Sequence, residues 1–374
     1  MVFVMILNIE KFLFLFWMEK LGVLNLSIKD GYKILAYLDI KSLLHCTQVS
    51  KAWNDMIDGK RSETLIWKKR LIEQGFALES QLSKSYLQQF PNPFQYVNLY
   101  KAVYRHLHLT RQNWFLGRYR KISFIAQETY VVTALHYNGE NIMYASDAGT
   151  IHIYNATRGE LVRTLEGHEG GVWALQYWQN ILVSGSTDRT VRVWNMDTGR
   201  CTHVFDGHTS TVRCLLIMIP TLNESNGKME PSIPLIVTGS RDATLRVWKL
   251  PDPNSDDTWT PEDGTNPYFL HLLSGHTNSV RAIAGAGNTL VSGSYDTTVR
   301  VWNLLTGECS FVFQGHREKV YSVGYSPELN RAASGSMDST VKVWCTLTGE
   351  LLFTLEGHTS LVGLLELTPK YLIS

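Results

Sequence analysis

The sequence predicts a multidomain α+β protein in which a helical amino-terminal third precedes an all-β region built from repeats. Three observations support this fold class. Apolar residues recur at helical spacing between about Leu24 and Leu71. The dipeptide Gly-His occurs five times after residue 160, in steps of 40, 68, 40 and 42 residues. Around these dipeptides lie runs of five or six β-branched and aromatic residues, separated by turn residues.

Composition excludes several classes of function. The chain has 374 residues, 44% of them hydrophobic, and a net charge of +1, so no global basic character points to nucleic acid or to an anionic membrane. Its cysteines are odd in number, scattered and without a Cys-x-x-Cys pair, which argues against a disulfide framework or a zinc site and fits a reducing compartment. They are Cys46, Cys201, Cys214, Cys309 and Cys345. We expect no metal and no cofactor.

The first residues, 1–23, form an apolar leader of uncertain nature. Glu10 and Lys11 split it into two halves, and neither reaches the roughly 17–25 residues that a membrane helix needs. The positive start and small-residue cleavage site of a secretory signal are missing. Three interpretations remain open: a wrongly assigned start or the loss of upstream sequence, a helix packed on the segment that follows, or a true membrane or signal segment. We expect no membrane partner.

One repeat is longer than the others because it carries two insertions. From the Gly-His histidine to the last tryptophan of the unit there are 26 or 28 residues elsewhere, but 40 from His208 to Trp248. A second surplus comes after Trp248. The insertions, 220–234 and 251–267, are rich in Pro, Asn, Ser and Asp, which is typical of surface loops.

A unit of about 40 residues with Gly-His, Ser-Gly-Ser, Asp and Trp resembles the WD repeat. The resemblance implies a β-propeller with one four-stranded sheet per blade. A weaker unit at 130–155 has Tyr154 in the Trp position and indicates a degenerate first blade, while the last unit stops after two strands. We therefore expect five blades and part of a sixth, in a chain cut short at its carboxyl end. The blades are predicted near 126–160, 161–200, 201–268, 269–308, 309–350 and, incomplete, 351–374.

The amino-terminal helices resemble the F-box, a small module that docks on the adaptor of SCF ubiquitin ligases. The matching stretches are KILAYLDIKSLLHCTQVSKAWNDMI and LIWKKRL, although LNLSIKDGY stands where the family usually has Leu-Pro and an acidic residue. The resemblance implies an F-box at 24–72, a helical linker at 73–125 and a propeller at 126–374. Its implied adaptor-binding residues are Ile34, Leu35, Leu38, Leu43, Leu44, Val49 and Trp53.

The whole arrangement resembles the fungal cell-division-control type of F-box/WD-repeat receptor in SCF ubiquitin ligases. CTHVFDGHTSTVRCL and VTGSRDATLRVWKLP are the most specific stretches. Members of that family carry eight blades. The resemblance implies a non-catalytic receptor in the nucleus or cytoplasm that binds phosphorylated proteins on the propeller. It binds the SCF adaptor, and through it the cullin, on the F-box. A homodimer stays open, and neither nucleic acid nor a small-molecule substrate is expected.

The residues that every repeat shares are interpreted as scaffold. His168 with Asp188 looks catalytic in isolation, but the same spacing recurs in later repeats together with a Ser and the Trp. A hydrogen-bonded brace within each blade explains this better than acid–base chemistry, so we predict no catalytic residue. Cations two residues before each Trp are predicted to lie on a solvated strand face. They are Arg192, Arg246, Arg300 and Lys342.

Two positions that vary between repeats predict a binding site. One lies five residues after the Gly-His histidine and the other just before the repeat Asp. In adjacent repeats they hold Arg213, Arg241 and Arg281, which could converge at the mouth of the channel and bind an anion such as phosphate. The alternative is three surface arginines paired with nearby acids.

The family resemblance favours the anion site. It implies that the three arginines bind the phosphate of a phosphothreonine-proline degron. It implies flanking contacts from Tyr295, Trp173, Thr187 and Ser210, and more peripheral ones from Tyr321 and Lys319. Two alternatives remain: a WD-repeat scaffold that engages no ligase, and a non-functional product of a truncated gene model.

Overall fold

The computed structural model of the chain describes residues 28–74, 98–119, 121, 123, 130–223, 227–252, 255 and 257–374. The chain divides into two compact units, 1–121 and 122–374. The predicted leader at 1–23 and much of the predicted linker lie outside the described residues. Within the described part, no helix is both long and apolar enough to cross a membrane.

The first unit is helical. Three of its helices begin at side-chain caps: Asp39 accepts a hydrogen bond from the Ser42 amide at 2.8 Å, Ser50 accepts one from the Trp53 amide at 3.2 Å, and Asn98 accepts one from the Lys101 amide at 3.0 Å. The helices are α1 (Ile28–Tyr37), α2 (Ile40–Cys46), α3 (Lys51–Asp58), α4 (Lys60–Ser62), a π-helix (Glu63–Lys68), α5 (Lys69–Glu73) and α6 (Leu99–Phe115).

Helix α6, in the predicted linker, is joined to the core of this unit. Its N-cap, Asn98, donates a hydrogen bond to Ser62 Oγ at 2.8 Å, and Glu63 accepts one from the Leu99 amide at 3.0 Å. The first half of α6 is therefore anchored, and it contributes Val103 and Tyr104 to the core. The other core residues are Leu35, Leu38, Leu43, Cys46, Ile57, Ile66, Trp67 and Leu71.

In its described residues, the second unit consists of five four-stranded antiparallel sheets and two two-stranded sheets. The strands are β1 (Val132–Tyr137), β2 (Asn141–Ser146), β3 (Ile151–Asn155), β4 (Leu161–Leu165), β5 (Val172–Trp178), β6 (Ile181–Ser186), β7 (Val191–Asn195), β8 (Cys201–Phe205), β9 (Val212–Met218), β10 (Thr221–Asn223), β11 (Lys228–Glu230), β12 (Leu235–Ser240), β13 (Leu245–Lys249), β14 (Phe269–Leu273), β15 (Val280–Ala286), β16 (Thr289–Ser294), β17 (Val299–Asn303), β18 (Glu308–Phe313), β19 (Val320–Ser326), β20 (Arg331–Ser336), β21 (Val341–Cys345), β22 (Leu351–Leu355), β23 (Glu366–Leu367) and β24 (Leu372–Ile373).

The sheets are the blades of a propeller, as predicted. The first strands of successive sheets, β1, β5, β9, β15 and β19, contact one another in that order and so line the centre. Apolar faces of neighbouring sheets pack together; Leu182 and Trp194 of the second sheet share a core with Met143 and Ile153 of the first. The degenerate unit at 130–155 provides three of the four strands in the first blade.

The blades do not coincide with the predicted repeat units. The first strand of a predicted repeat unit, which lies just before the Gly-His, pairs with the sheet formed by the preceding unit. For example, β8 pairs with β7 through Val191 and Phe205. A tight turn joins these two strands, and they are hydrogen-bonded in one sheet. The predicted boundary between repeat units had placed them in different blades. Blades 1 to 5 span 132–165, 172–205, 212–273, 280–313 and 320–355.

The two insertions of blade 3 leave the sheet at the same end. The first forms the hairpin β10–β11, in which Leu222 pairs with Met229. The second comes after β13, and we call its residues 257–267 the strap. Within the strap, the Trp259 amide donates to the Thr202 carbonyl and the Trp259 carbonyl accepts from the Val204 amide, both at 3.0 Å. The strap therefore extends the outer edge of blade 2.

The prediction of a solvated strand face for the four cations before each Trp is wrong. Lys342 is buried and donates to Thr354 Oγ1 at 2.9 Å. The guanidinium of Arg246 lies 5.9 Å from the ring centre of Trp248, and that of Arg300 lies 5.9 Å from the ring centre of Trp302. Residues two apart on a strand share a face, so Arg246 and Arg300 lie over their tryptophans instead of pointing to water.

Candidate functional site

The recurring polar residues of each repeat form the predicted brace. In blade 4, Asp296 and His276 Nδ1 are 2.8 Å apart, and His276 Nε2 is 2.8 Å from Ser292 Oγ, which accepts the Trp302 indole N–H at 2.8 Å. Every proton has a place if the indole donates to Ser, Ser to Nε2, and Nδ1–H to the carboxylate. The same chain exists in blades 2, 3 and 5, where Thr238 replaces Ser in blade 3.

Electrostatics keep the brace in one protonation state. Burial opposes ionisation of Asp188, but its hydrogen bonds from His168 and Thr190 outweigh burial and lower the pKa of the carboxyl group. Burial lowers the pKa of His168, and the nearby carboxylate offsets that effect only in part. A neutral histidine beside an ionised aspartate is a structural arrangement here, since it lies within one blade and not in a shared pocket.

The brace holds the two loops that carry the variable positions. In blade 3, Ser240 Oγ donates to the Ser210 carbonyl at 3.1 Å, and the Arg241 amide donates to the Thr211 carbonyl at 2.9 Å. In blade 4, the Tyr295 amide donates to the Ser279 carbonyl at 2.9 Å. The backbone under each candidate site residue is therefore fixed.

A β-bulge explains why one residue in each first strand projects from the sheet. In blade 3, Val212 pairs with Ser240 and Cys214 with Gly239, which leaves Arg213 unpaired between them. A bulge of this kind redirects a side chain. The bulged residues of blades 1 to 5 are Thr133, Trp173, Arg213, Arg281 and Tyr321.

The bulged residues make contacts across blade boundaries. The Arg213 guanidinium carbon lies 4.8 Å from the ring centre of Trp173, and that of Arg281 lies 6.0 Å from the ring centre of Tyr321. Stacking on an aromatic face is favourable for guanidinium and leaves its edge free to donate hydrogen bonds. Trp173 itself is 38% exposed.

An aromatic cluster flanks the arginines on blades 4 and 5. The rings of Tyr295 and Tyr321 are 5.1 Å apart, and Lys319 Nζ lies 5.1 Å from the ring centre of Tyr295. The side-chain hydrogen bond with Tyr295 raises the pKa of the Tyr321 hydroxyl, and burial adds to the rise. Arg281 and Arg213 oppose it, so both cations act on the same tyrosine.

The arginines carry no counter-charge in the described part of the chain. Among the residues that the structure describes, no ion pair or hydrogen bond is made by the guanidinium of Arg213, Arg241 or Arg281. Arg213 Nε is also buried and lacks a hydrogen-bond partner. The alternative of arginines neutralised by neighbouring acids thus has no support in this unit. Thr187 and Arg241 are exposed, and Ser210 is half-buried.

Sequence reasoning missed the positions that blade 1 contributes. Thr133 is its bulged residue, and Asp147 occupies the position in blade 1 that Arg241 occupies in blade 3. No Gly-His precedes this blade, so the repeats could not be aligned on that dipeptide here. The match of Ser146 to Ser186 could have fixed the alignment instead. In blade 5 the corresponding position holds Met337, which is 47% exposed.

The predicted adaptor-binding residues divide into core and surface. Leu35, Leu38 and Leu43 are buried in the core of the helical unit, where they pack against its other helices, and their contact with an adaptor stays a prediction. Their helical spacing reflects the core that α1 and α2 share with the π-helix and α6. Leu44 is 46% exposed. Ile34, Val49 and Trp53 are half-buried.

Comparison with protein-family models identifies both kinds of module. The model described as "F-box-like" matches residues 32–73. The model described as "WD domain, G-beta repeat" matches residues 159–195, 199–249, 267–303 and 307–345. These matches begin, like our repeat units, near the fourth strand of the preceding blade.

Curated relatives share the same order of segments. The chain is 41% identical over 327 residues to WD repeat-containing protein pop2 of Schizosaccharomyces pombe, covering 82% of this chain and 46% of that protein. It is 44% identical over 367 residues to Cell division control protein 4 of Candida albicans, covering 94% and 53%. The chain thus spans about half the length of the curated relatives it matches. Together with the helical unit and the blades, these matches place the chain in the family of F-box/WD-repeat proteins of the Cell division control protein 4 type.

Proposed function

We propose that the chain is a substrate receptor of an SCF ubiquitin ligase that binds phosphothreonine-proline segments on its propeller. The observation that supports this most is a set of three arginines that have no counter-charge among the described residues, two of which lie over aromatic rings. Such a set is unfavourable without an anion, and guanidinium groups bind the phosphate dianion through paired hydrogen bonds.

The surroundings fit a peptide better than free phosphate. Trp173 on one side and Tyr295 with Tyr321 on the other offer apolar faces for proline and aliphatic side chains. Lys319, whose Nζ lies 5.1 Å from the ring centre of Tyr295, and the exposed Thr187 would contact peptide residues that flank the phosphothreonine. The receptor performs no chemistry; it raises the effective concentration of substrate lysines near the ubiquitin-loaded enzyme.

The helical unit would bind the SCF adaptor, and through it the cullin. The F-box-like match and the exposed Leu44 support this part of the proposal. Replacement of Leu44 by Asp should weaken adaptor binding in a pull-down and leave peptide binding unchanged. Peptide binding without any adaptor binding would instead favour a WD-repeat scaffold that engages no ligase. A receptor of this kind would work in the nucleus or cytoplasm.

Peptide binding tests the propeller part. Fluorescence anisotropy of a labelled Thr-Pro peptide should show at least tenfold tighter binding when the threonine is phosphorylated. Arg241→Ala should weaken binding of the phosphopeptide by about 1.5–3 kcal/mol, the usual value for hydrogen bonds to charged groups. Arg200→Ala is the matched control, because Arg200 is an exposed arginine at the opposite end of blade 2. Equal binding of both peptides would refute the proposal.

A further inference from the structure

The strap carries a Thr-Pro dipeptide to which the proposed function gives no role. Thr260 is exposed, and the adjoining Pro261 opens a 3₁₀ turn, Pro261–Asp263. The chain has one other Thr-Pro, Thr368-Pro369, with Lys370 directly after it. Glu262 stands after Thr260-Pro261 instead, so the two dipeptides differ in charge.

The negative charge of the second insertion complements the positive charge of Arg213, Arg241 and Arg281, which we call the arginine site. Residues 251–267 contain five acidic and no basic residues. A phosphate on Thr260 would add about −1.5 to −2 charges at neutral pH. Arg213, Arg241, Arg281 and Lys319 present the opposite charge on the propeller.

The docked strap holds Thr260 away from the arginine site of the same chain. Arg213 lies near the start of β9 and Arg241 just after the end of β12, at one end of blade 3. The strap comes after the end of β13, at the other end of the same sheet. A second copy of the chain can present its strap to this end of blade 3 without spanning a sheet.

We propose that Thr260 is a phosphorylation site and that its phosphorylated form binds the arginine site of a second copy. This inference rests on the proposed function. A proline-directed kinase would supply the phosphate from ATP. The Thr260 Oγ1–P bond forms as the bond from the γ-phosphorus to its bridging oxygen breaks; ADP leaves, and the hydroxyl proton passes to the kinase's base.

The docked strap restrains this interaction. Trp259, directly before Thr260, is 6% exposed, and its ring centre lies 6.0 Å from that of Phe205. Its amide and carbonyl are both paired with β8. When a phosphothreonine binds in an extended peptide, the residue before it must also be free to lie along the binding surface. Trp259 must therefore leave blade 2 before Thr260 can bind. Phosphorylated chains in which Trp259 is replaced should associate more strongly than the wild type.

Peptides separate the inference from the proposed function. The full chain is titrated into labelled peptides of residues 255–267 with and without phosphate on Thr260, and into an unrelated phosphothreonine-proline peptide. We expect the phosphorylated strap peptide to bind at least tenfold more tightly than its unmodified twin, with the gain lost in Arg241→Ala and kept in Arg200→Ala. Binding of the unrelated phosphopeptide alone would overturn the inference and leave the proposed function intact. Binding of neither would overturn both.

Sedimentation velocity tests the full chain. Wild-type, Thr260→Ala, Thr368→Ala and Trp259→Ala chains are treated with a proline-directed kinase and ATP, and phosphate is located by mass spectrometry. Phosphorylated wild type and Thr368→Ala should self-associate, Thr260→Ala should stay monomeric, and Trp259→Ala should associate at least threefold more tightly than wild type. Monomeric phosphorylated Trp259→Ala would overturn the inference. So would the absence of phosphate at Thr260 in both wild type and Trp259→Ala.

Discussion

Removal of one hydroxyl from the brace of blade 4 should destabilise the propeller far more than its size suggests. Ser292 is fully buried, and its Oγ is 2.8 Å from both Trp302 Nε1 and His276 Nε2. Ser292→Ala removes the acceptor of the indole N–H and the donor to the imidazole at once. A buried polar group without a partner costs about 1–3 kcal/mol. Two such groups give an expected loss of about 2–5 kcal/mol.

Ser292→Thr is the matched control. Blade 3 already has Thr238 at this position, with Oγ1 2.9 Å from His208 Nε2 and 3.1 Å from Trp248 Nε1. A threonine can therefore complete the chain of hydrogen bonds, and we expect this variant to lose under about 1 kcal/mol, because only one methyl group is added.

Thermal unfolding followed by tryptophan fluorescence measures the effect. For a domain of 150–250 residues, 1 kcal/mol shifts the Tm by about 2–4 °C, so Ser292→Ala should lower the Tm by roughly 4–20 °C. Urea unfolding of the same variants gives the free energy directly. A Tm for Ser292→Ala within about 1 °C of wild type, or an equal loss in both variants, would refute the assignment of protons along the brace.

Three further predictions concern acidity, backbone strain and thiol reactivity. Burial lowers the pKa of His168, His208 and His316 below the ordinary value of about 6.5, so the unfolded chain binds more protons than the folded one below that pH. The Tm should therefore stay constant from pH 8 to 7 and fall from pH 6.5 to 5. A Tm that does not change with pH would contradict neutral buried histidines. Thr297 has a φ of 72°, which is unfavourable for a β-branched residue. Thr297→Gly should therefore raise the free energy of unfolding, measured by urea titration, by about 1 kcal/mol. A lower free energy of unfolding would show instead that the Thr297 side chain stabilises the turn. A side-chain hydrogen bond from Thr348 lowers the pKa of the half-buried Cys345 thiol, whereas burial raises the pKa of Cys214 to about 12 and that of Cys46 to about 11. Iodoacetamide at pH 7.5 should therefore label Cys345 first, as measured by peptide mass spectrometry, and earlier labelling of Cys46 would contradict this order.

The repeated residues made the scaffold predictable. His276, Asp296, Ser292 and Trp302 recur with near-constant spacing, and a polar set that recurs in this way must be satisfied within each blade. The two positions of the arginine site were identified because the same alignment showed where the pattern changes. The chain thus contained its own comparison, without any homologue.

Three features could not be read from the sequence. The bulge at Arg213 depends on how β9 pairs with β12, and a spacing of one extra residue leaves no signal in composition. The position of Arg246 over Trp248 depends on packing against the next strand, because a charged side chain in an alternating pattern is also typical of an exposed face. Leu43 is buried in a core that α6 completes with Val103 and Tyr104, and α6 is more than fifty residues away in sequence.

The offset between repeats and blades bears on how such rings change in evolution. Each genetic repeat supplies the closing strand of one blade and the first three strands of the next. Loss of one whole repeat therefore brings the three remaining strands of a blade next to a new closing strand, and a duplication does the same. Every surviving blade keeps four strands. The number of blades can thus change by unequal recombination in single steps, without an intermediate that has an unpaired edge.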